Sequence, residues 1–398
     1  MSLVSAARTL WRRGAPAPLR RAFAPALLAG IHKSVALGLP PTADPPAAGP
    51  IRICGPFTGS HGIARSAELC ARALESLGAS VERIAIQEGF DPVARLPAPA
   101  PAAAWIFHLN APELPLALFN LGANHIRGPR YGVWAWELPA APRSWLRDAS
   151  LLTEVWAPSR YTAGAFTGAR SPVRVVPHPI IAADYADVRP APRRHAFHAI
   201  SLFDVKSSAA RKNPQGALAA FVRAFGDAPD VRLTIKAQNG DAYPGLIEAL
   251  RRGAPANVEV IDEVWPQARV NALIAGADAV LSLHRAEGFG LVLAEAMALG
   301  TPVIATAWSG NLDFMDETCA LMVPAGRIAA EDPQGAYRGQ AWADPDLDAA
   351  AAALIRLRND PEIGRRLSAA ARDKVASLLS PQAWARTLPA GLQALLAK

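Results

Sequence analysis

Apolar runs of strand length alternate with longer stretches of helical period along most of the chain. Residues 51–55 (Ile-Arg-Ile-Cys-Gly) predict a strand, 56–62 a turn bearing Gly59 and Gly62, and 63–77 a helix that Gly78 stops. Residues 105–108 form a short apolar strand running into His108 and Asn110, and 131–137 and 155–161 carry two more strand ends. A polar loop at 204–212 follows the strand 199–203. Asn213-Pro214 then supplies an N-cap and a proline at the first helical position for a helix through Phe225. Strands at 231–236 and 258–262 come next. The strongest unit is the strand 279–283, a helix over 288–299, the stop Gly300-Thr-Pro302 and the buried strand 303–305.

Strands separated by helices predict an α/β protein with parallel sheets. Two prolines among the charges of 184–194 read as a linker, which divides the chain into two Rossmann-like, doubly wound domains, 51–190 and 191–376. A Pro/Ala-rich extension, 1–50, precedes them, and a helix within 377–398 follows. Residues 325–348 read as loop, and the Asp344-Pro-Asp346 pair in them as a turn rather than a metal site.

The opening of the 288–299 helix carries the chemistry. Gly288 and Gly290 remove side chains where free backbone N–H groups and the positive end of the helix dipole face a ligand, so an anion or a hydroxyl-rich group is the natural guest. Glu287 stands just before this apolar helix and Glu295 inside it. Buried carboxylates are costly unless paired or hydrogen-bonded, so two of them suggest a polyhydroxyl partner. Arg211 and Lys212 stand directly before the helix that Asn213 caps. A diphosphate there would meet a helix dipole worth ~0.3–1 kcal/mol and charge-assisted hydrogen bonds of ~1.5–3 kcal/mol each. His108 occupies the carboxyl end of a strand, where open α/β sheets bind ligands. Trp134, Trp136 and Glu137 could form an aromatic platform for an acceptor sugar.

Charge and cysteine content narrow the class. Of the net +7, residues 1–50 hold six Lys/Arg against Asp44, or +5; the remaining 35 Lys/Arg against 33 acids leave +2. The core therefore gives no electrostatic case for nucleic acid. The basic extension reads as a transit peptide, as a segment resting on an anionic membrane, or as a disordered tail. Cys54, Cys70 and Cys319 are widely spaced, which argues against disulfides and zinc and fits small core residues in a reducing, cytoplasmic compartment. No segment has the ~20 apolar residues of a membrane span.

The run from Glu287 to Pro302 resembles the Glu, seven residues, Glu motif of the retaining nucleotide-sugar glycosyltransferases of family four. That resemblance covers residues 51–398 at the level of architecture and is specific at 281–306 and 203–225. It implies the GT-B fold, two Rossmann-like domains facing across a cleft with a C-terminal helix crossing back. It also implies a donor nucleotide sugar on the second domain and an acceptor entering from the first. By resemblance Glu287 contacts the transferred sugar, Glu295 the ribose, and Arg211 and Lys212 the leaving diphosphate. The family's Arg usually stands several residues earlier, where this chain has Phe203-Asp204, so Arg211 would be a substitute. His108 matches the strand-end histidine beside the donor sugar, and the loop after 258–262 is where the family holds the base. Catalysis thus falls on Glu287, His108 and Lys212. Donor binding falls on Arg211, Lys212, Glu295, Gly288, Phe289, Gly290, Leu291 and Gly62, and acceptor binding on His61, Asn110, Trp136 and Glu137.

The expected activity is retaining transfer of a hexose, with mannose as one candidate, to a saccharide or lipid-linked acceptor in cell-envelope polysaccharide synthesis. No cofactor or metal is expected, since Arg211 and Lys212 would neutralise the leaving group. A sugar-nucleotide epimerase, a phosphorylase and a non-catalytic carbohydrate-binding protein are the alternatives. A peripheral membrane contact through the basic N-terminus is the further expected partner.

Overall fold

The computed structural model describes residues 17–41, 49–57, 62–87, 100–192, 195–332 and 337–396. They form two compact units. The first comprises Met1–Ala135, Ala140–Pro179 and Trp384–Lys398; the second comprises Trp136–Pro139 and Ile180–Ala383.

The first unit contains helix α1 (Ala17–Gly38), β1 (Ile51–Gly55), α2 (Gly62–Ser76), β2 (Val81–Ala85), β3 (Ala104–Phe107), β4 (Arg130–Val133), β5 (Glu154–Ala157) and β6 (Val173–Val175). These six strands form a parallel sheet in the order β2-β1-β3-β4-β5-β6. The order turns back between β1 and β3. Ile51, Ile53, Ile106 and Trp156 pack with Leu74 of α2 and with Trp384, Leu388 and Leu392 from the chain's last segment. That segment is not one helix. It forms Pro381–Ala385 and Ala390–Leu396, and Pro389 between them cannot supply the N–H a continuous ladder needs.

The second unit contains β7 (Phe197–Asp204), α3 (Pro214–Phe225), β8 (Val231–Gln238), β9 (Val258–Asp262), β10 (Ala279–Ser282), α4 (Leu291–Leu299), β11 (Val303–Thr306), β12 (Leu321–Val323), β13 (Ala325–Ala329), β14 (Ala341–Pro345), α5 (Leu347–Asn359) and α6 (Pro361–Leu379). Its parallel sheet runs β9-β8-β7-β10-β11-β12, the doubly wound order that reverses between β7 and β10. Helices cover both faces. One layer joins Leu233 and Ile235 to Phe221 and Leu354, the other Ile200 and Val280 to Met297 and Val375. Burial on both sides explains why the strands read as continuous apolar runs.

The structure also corrects expectations about domain bounds and elements. Residues 1–50 do not all stand outside the fold: apolar positions at Leu28, Ile31 and Val35 recur at helical spacing on α1, and Val35 is buried. His32 Nδ1 lies 2.9 Å from Asp148 Oδ1, and Arg130 Nη1 donates to the Pro40 carbonyl at 3.1 Å. Residues 184–194 are not simply a linker. The change of unit falls between Pro179 and Ile180, and Tyr185, on the turn Ala183–Ala186, is buried in the second unit. The described residues of 325–348 are not all loop: β13 and β14 pair antiparallel, and Trp342 is their buried anchor. The helix expected over 288–299 starts at Leu291, because Gly290 at φ 95° lies outside the helical region. Asp346 caps α5, which agrees with reading it as a turn residue. No described helix is long and apolar enough to cross a membrane.

Candidate active site

Because the second sheet reverses between β7 and β10, the loops leaving these two strands lie side by side. The first loop turns through Ser208, at φ 62°, into the short helix Ala209–Lys212. Asn213, at φ 53°, accepts from Gly216 N at 3.2 Å to cap α3 and donates its Nδ2 to the Leu283 carbonyl at 2.8 Å. One side chain thus starts the helix and ties the loop to the end of β10.

Glu287 in the second loop is buried, 8% exposed. Lys212 Nζ lies 2.5 Å from its Oε1 and Arg211 Nη1 3.1 Å from its Oε2. Burial alone would raise this carboxyl, but Lys212 and Arg211 outweigh it and bring Glu287 down to about 2. Arg211 is turned inward. Its Nη1 also donates to the Ala286 carbonyl at 2.7 Å, its Nη2 to Ser207 O and Oγ at 2.9 and 2.8 Å, and Glu137 Oε1 stands 3.6 Å from Nη2. Burial would lower the guanidinium, yet Glu137 and Glu287 together hold it above its ordinary value. Lys212 differs: burial lowers it, Glu287 opposes this, and its side chain retains 20% exposure. An ammonium has three donors, so Lys212 can serve an anion while keeping Glu287.

The backbone of this loop is braced from behind. Glu287 N donates to Ser309 Oγ at 2.8 Å and Gly310 N to the Glu287 carbonyl at 2.9 Å. Ser309 adopts φ 76°, a strained conformation for a residue with a Cβ. His284 is fully buried, with Nδ1 3.1 Å from Ser282 Oγ and Nε2 3.2 Å from both Trp308 O and Asn311 Oδ1. Sequence reasoning missed Ser309, Gly310 and Asn311. Their only local signal is the compact Ser-Gly-Asn after the strand end at Thr306.

Gly288 and Gly290 keep side chains away from the start of α4. Phe289 is buried against Phe314, ring centroids 4.7 Å apart, and so packs the core; Leu291 is half-buried at the helix start. Glu295, one and a half turns into the apolar segment, accepts from Tyr185 OH at 3.2 Å.

In the first unit His108 follows β3 and His178 follows β6. Ser66 of α2 joins them, its Oγ 3.1 Å from His108 Nδ1 and 3.0 Å from His178 Nδ1. Burial holds both imidazoles neutral, His108 down to about 3, with His178 adding to the effect, and His178 down to about 4. His108 Nε2 is buried and has no hydrogen-bond partner. Asn110 is occupied structurally, its Oδ1 accepting from Ala135 N at 3.0 Å and its N–H bonding Glu113 at 3.1 Å. Gly62 opens α2, and His61 lies outside the described residues.

The aromatic platform expected at 134–137 does not form. Trp134 is buried edge-on to Trp145 with centroids 6.0 Å apart, so it serves the core of the first unit. Trp136 and Glu137 belong to the second unit, where Trp136 is buried against Tyr337.

Residues 200–374 match the family described as Glycosyl transferases group 1. No curated protein matches the chain by sequence. Among solved structures, a glycosyltransferase from Rickettsia africae aligns with a TM-score of 0.62 at 12% identity over 87% of this chain and 98% of its own. HepE of Anabaena, solved with UDP-glucose, aligns at 0.59 with 13% identity over 87% and 99%. TarM aligns at 0.54 with 14% identity over 74% of this chain, which spans 55% of the length of TarM. The two parallel-sheet units share the fold of these solved glycosyltransferases of the GT-B architecture. More narrowly, its second unit carries a glycosyl transferases group 1 domain, in which Lys212, Glu287 and Glu295 all lie.

Proposed function

We propose that the chain is a retaining glycosyltransferase that moves a hexose from a nucleoside-diphosphate sugar to a saccharide or lipid-linked acceptor, in polysaccharide synthesis. The observation that carries this reading is the buried group at the β7/β10 reversal, where Lys212 and Arg211 hold Glu287 ionised. Glu287 at the sugar and Glu295 at the ribose are the roles that their motif suggests. Lys212 keeps donors free for a diphosphate, whereas Arg211, already committed to Ala286, Ser207 and Glu287, serves by fixing Glu287. Bond cleavage then rests on preorganised positive charge that stabilises the departing diphosphate, while the acceptor hydroxyl is held on the same face of the sugar. On this reading the chain's own cations supply the neutralisation, and catalysis proceeds without a divalent ion.

HepE was solved with UDP-glucose and an Escherichia coli relative with UDP-2-fluoro glucose, which makes UDP-sugars the first donors to try. A panel of UDP-, GDP- and ADP-sugars, with and without EDTA, would be screened by thermal shift. Product formation and anomeric configuration would then be followed by NMR. A ligand at 100 times its Kd stabilises by ~2.7 kcal/mol. Stabilisation by one nucleotide and an axial-to-axial or equatorial-to-equatorial product support the reading. An inverted product, dependence on added metal, or epimerised donor in the absence of acceptor would each remove the corresponding part.

A further inference from the structure

Outside the Lys212–Glu287 pair, the second unit joins a buried phenol to a half-buried carboxylate, Glu137. Tyr337 is 7% exposed, and its hydroxyl donates to Glu137 Oε2 at 3.0 Å. The other oxygen of Glu137 faces Arg211 Nη2 at 3.6 Å, too far for a hydrogen bond but close for charge attraction. Tyr337 is thus the direct hydrogen-bond donor to Glu137, and Arg211 is the cation shared by Glu137 and Glu287.

The hairpin that brings Tyr337 is fastened beside Glu287. Ala343 N of β14 donates to the Arg285 carbonyl at 2.8 Å, and Arg285 Nη1 returns to Asp344 Oδ1 at 3.1 Å. Tyr337 then stacks edge-on between Trp136 and Trp342, centroids 5.6 and 6.2 Å away. One element therefore braces the loop two residues before Glu287 and also fixes the carboxylate across Arg211 from it.

Resting on the glycosyltransferase reading, we propose that Tyr337 is a positioning residue for the acceptor. Its hydroxyl orients Glu137 so that this partly exposed carboxylate accepts a hydrogen bond from the incoming hydroxyl. No proton leaves Tyr337 in this role; Glu137 orients the nucleophile from its place beside Arg211.

Tyr337→Phe keeps both ring contacts and removes only the hydroxyl. With UDP-glucose, UDP-N-acetylglucosamine and GDP-mannose as donors, and methyl glucoside, methyl mannoside and octyl glucoside as acceptors, the variant should show an acceptor KM raised at least tenfold. The donor KM and the thermal shift caused by the nucleotide should not change. An unchanged acceptor KM, or a loss confined to nucleotide binding, overturns the proposal. Denaturant unfolding of the wild type, Tyr337→Phe, Glu137→Ala and the double variant tests the pairing without activity. The combined loss should fall below the sum of the single losses, and strict additivity overturns the pairing. If no donor is turned over by the wild type, the glycosyltransferase reading and the acceptor role fail together, whereas the cycle still decides the pairing.

Discussion

Lys212 offers the sharpest separation between holding the fold and running the reaction. Lys212→Ala removes the ammonium 2.5 Å from Glu287 Oε1 but leaves Arg211 Nη1 3.1 Å from Oε2. Removing one partner of a buried pair costs ~3–5 kcal/mol when the remaining charge is stranded. Glu287 is not stranded, and a fifth of the Lys212 side chain meets solvent, so the stability loss should be nearer 1–2 kcal/mol by order of magnitude. For a unit of this size that is a fall in Tm of roughly 2–8 °C. Turnover should suffer far more. A preorganised donor aimed at developing charge is worth about 10²–10³ in kcat, and the neighbouring Arg211 is turned inward to Ala286, Ser207 and Glu287. Differential scanning calorimetry would measure the first effect, and initial rates of nucleoside diphosphate release the second. Lys212→Met, which keeps the aliphatic stem, should reproduce the kinetic loss with a smaller Tm change. Near-normal turnover in a folded Lys212→Ala variant would refute the phosphate role, and a Tm loss without a larger rate loss would reduce Lys212 to a structural cation.

Gly310→Ala should destabilise the second unit by about 1–3 kcal/mol, because its Cβ would press on the backbone carbonyls of Gly288 and Glu287; thermal denaturation checks this. Glu287 titrates below its ordinary value in the folded protein, so its contribution is present above pH 4.5 and lost as pH falls through about 2; Arg211→Met and Lys212→Ala should each shift that loss to higher pH in acid unfolding curves. His108 and His178 are held below their ordinary 6.5, so the unfolded chain binds protons first, and stability should fall as pH drops from 6.5 toward 4. Ser66→Ala with His178→Phe should flatten that slope, as Tm against pH would reveal. Tyr185→Phe removes one hydrogen bond from buried Glu295 and should weaken the thermal shift given by the nucleotide, while a full shift would separate Tyr185 from the ribose site.

Much of the site was legible where its residues are neighbours in sequence. Asn213-Pro214 announces a capped helix, and two glycines before an apolar run announce a helix opening, since both depend on local backbone geometry. The juxtaposition of Lys212 with Glu287, 75 residues apart, was legible only through the strand–loop–helix order that places both at one sheet reversal. What stayed hidden depends on distant packing. The β13 strand, Ala-Gly-Arg-Ile-Ala, is largely exposed and lacks alternation between apolar and polar positions, so nothing local marks it as a hairpin. Tyr337 finds Glu137 across 200 residues, and Ser309 reaches Glu287 from a turn whose backbone strain has no residue signature. Trp134 misled for the opposite reason: its composition suits a sugar platform, and only its neighbours Trp145 and Phe166 reveal a core side chain.

The four residues Trp136–Pro139 count with the second unit although the chain on both sides of them counts with the first. The polypeptide therefore changes allegiance four times rather than once, and a gene fragment encoding 180–383 would be chemically incomplete. It would keep the whole parallel sheet yet lack Glu137, leaving Arg211 with one counter-charge and Tyr337 with no acceptor for its proton. Halves exchanged between relatives at the obvious seam would inherit the same mismatch. For this chain the unit of heredity that must travel together is the second unit's main segment plus a tetrapeptide written some forty residues upstream of that seam.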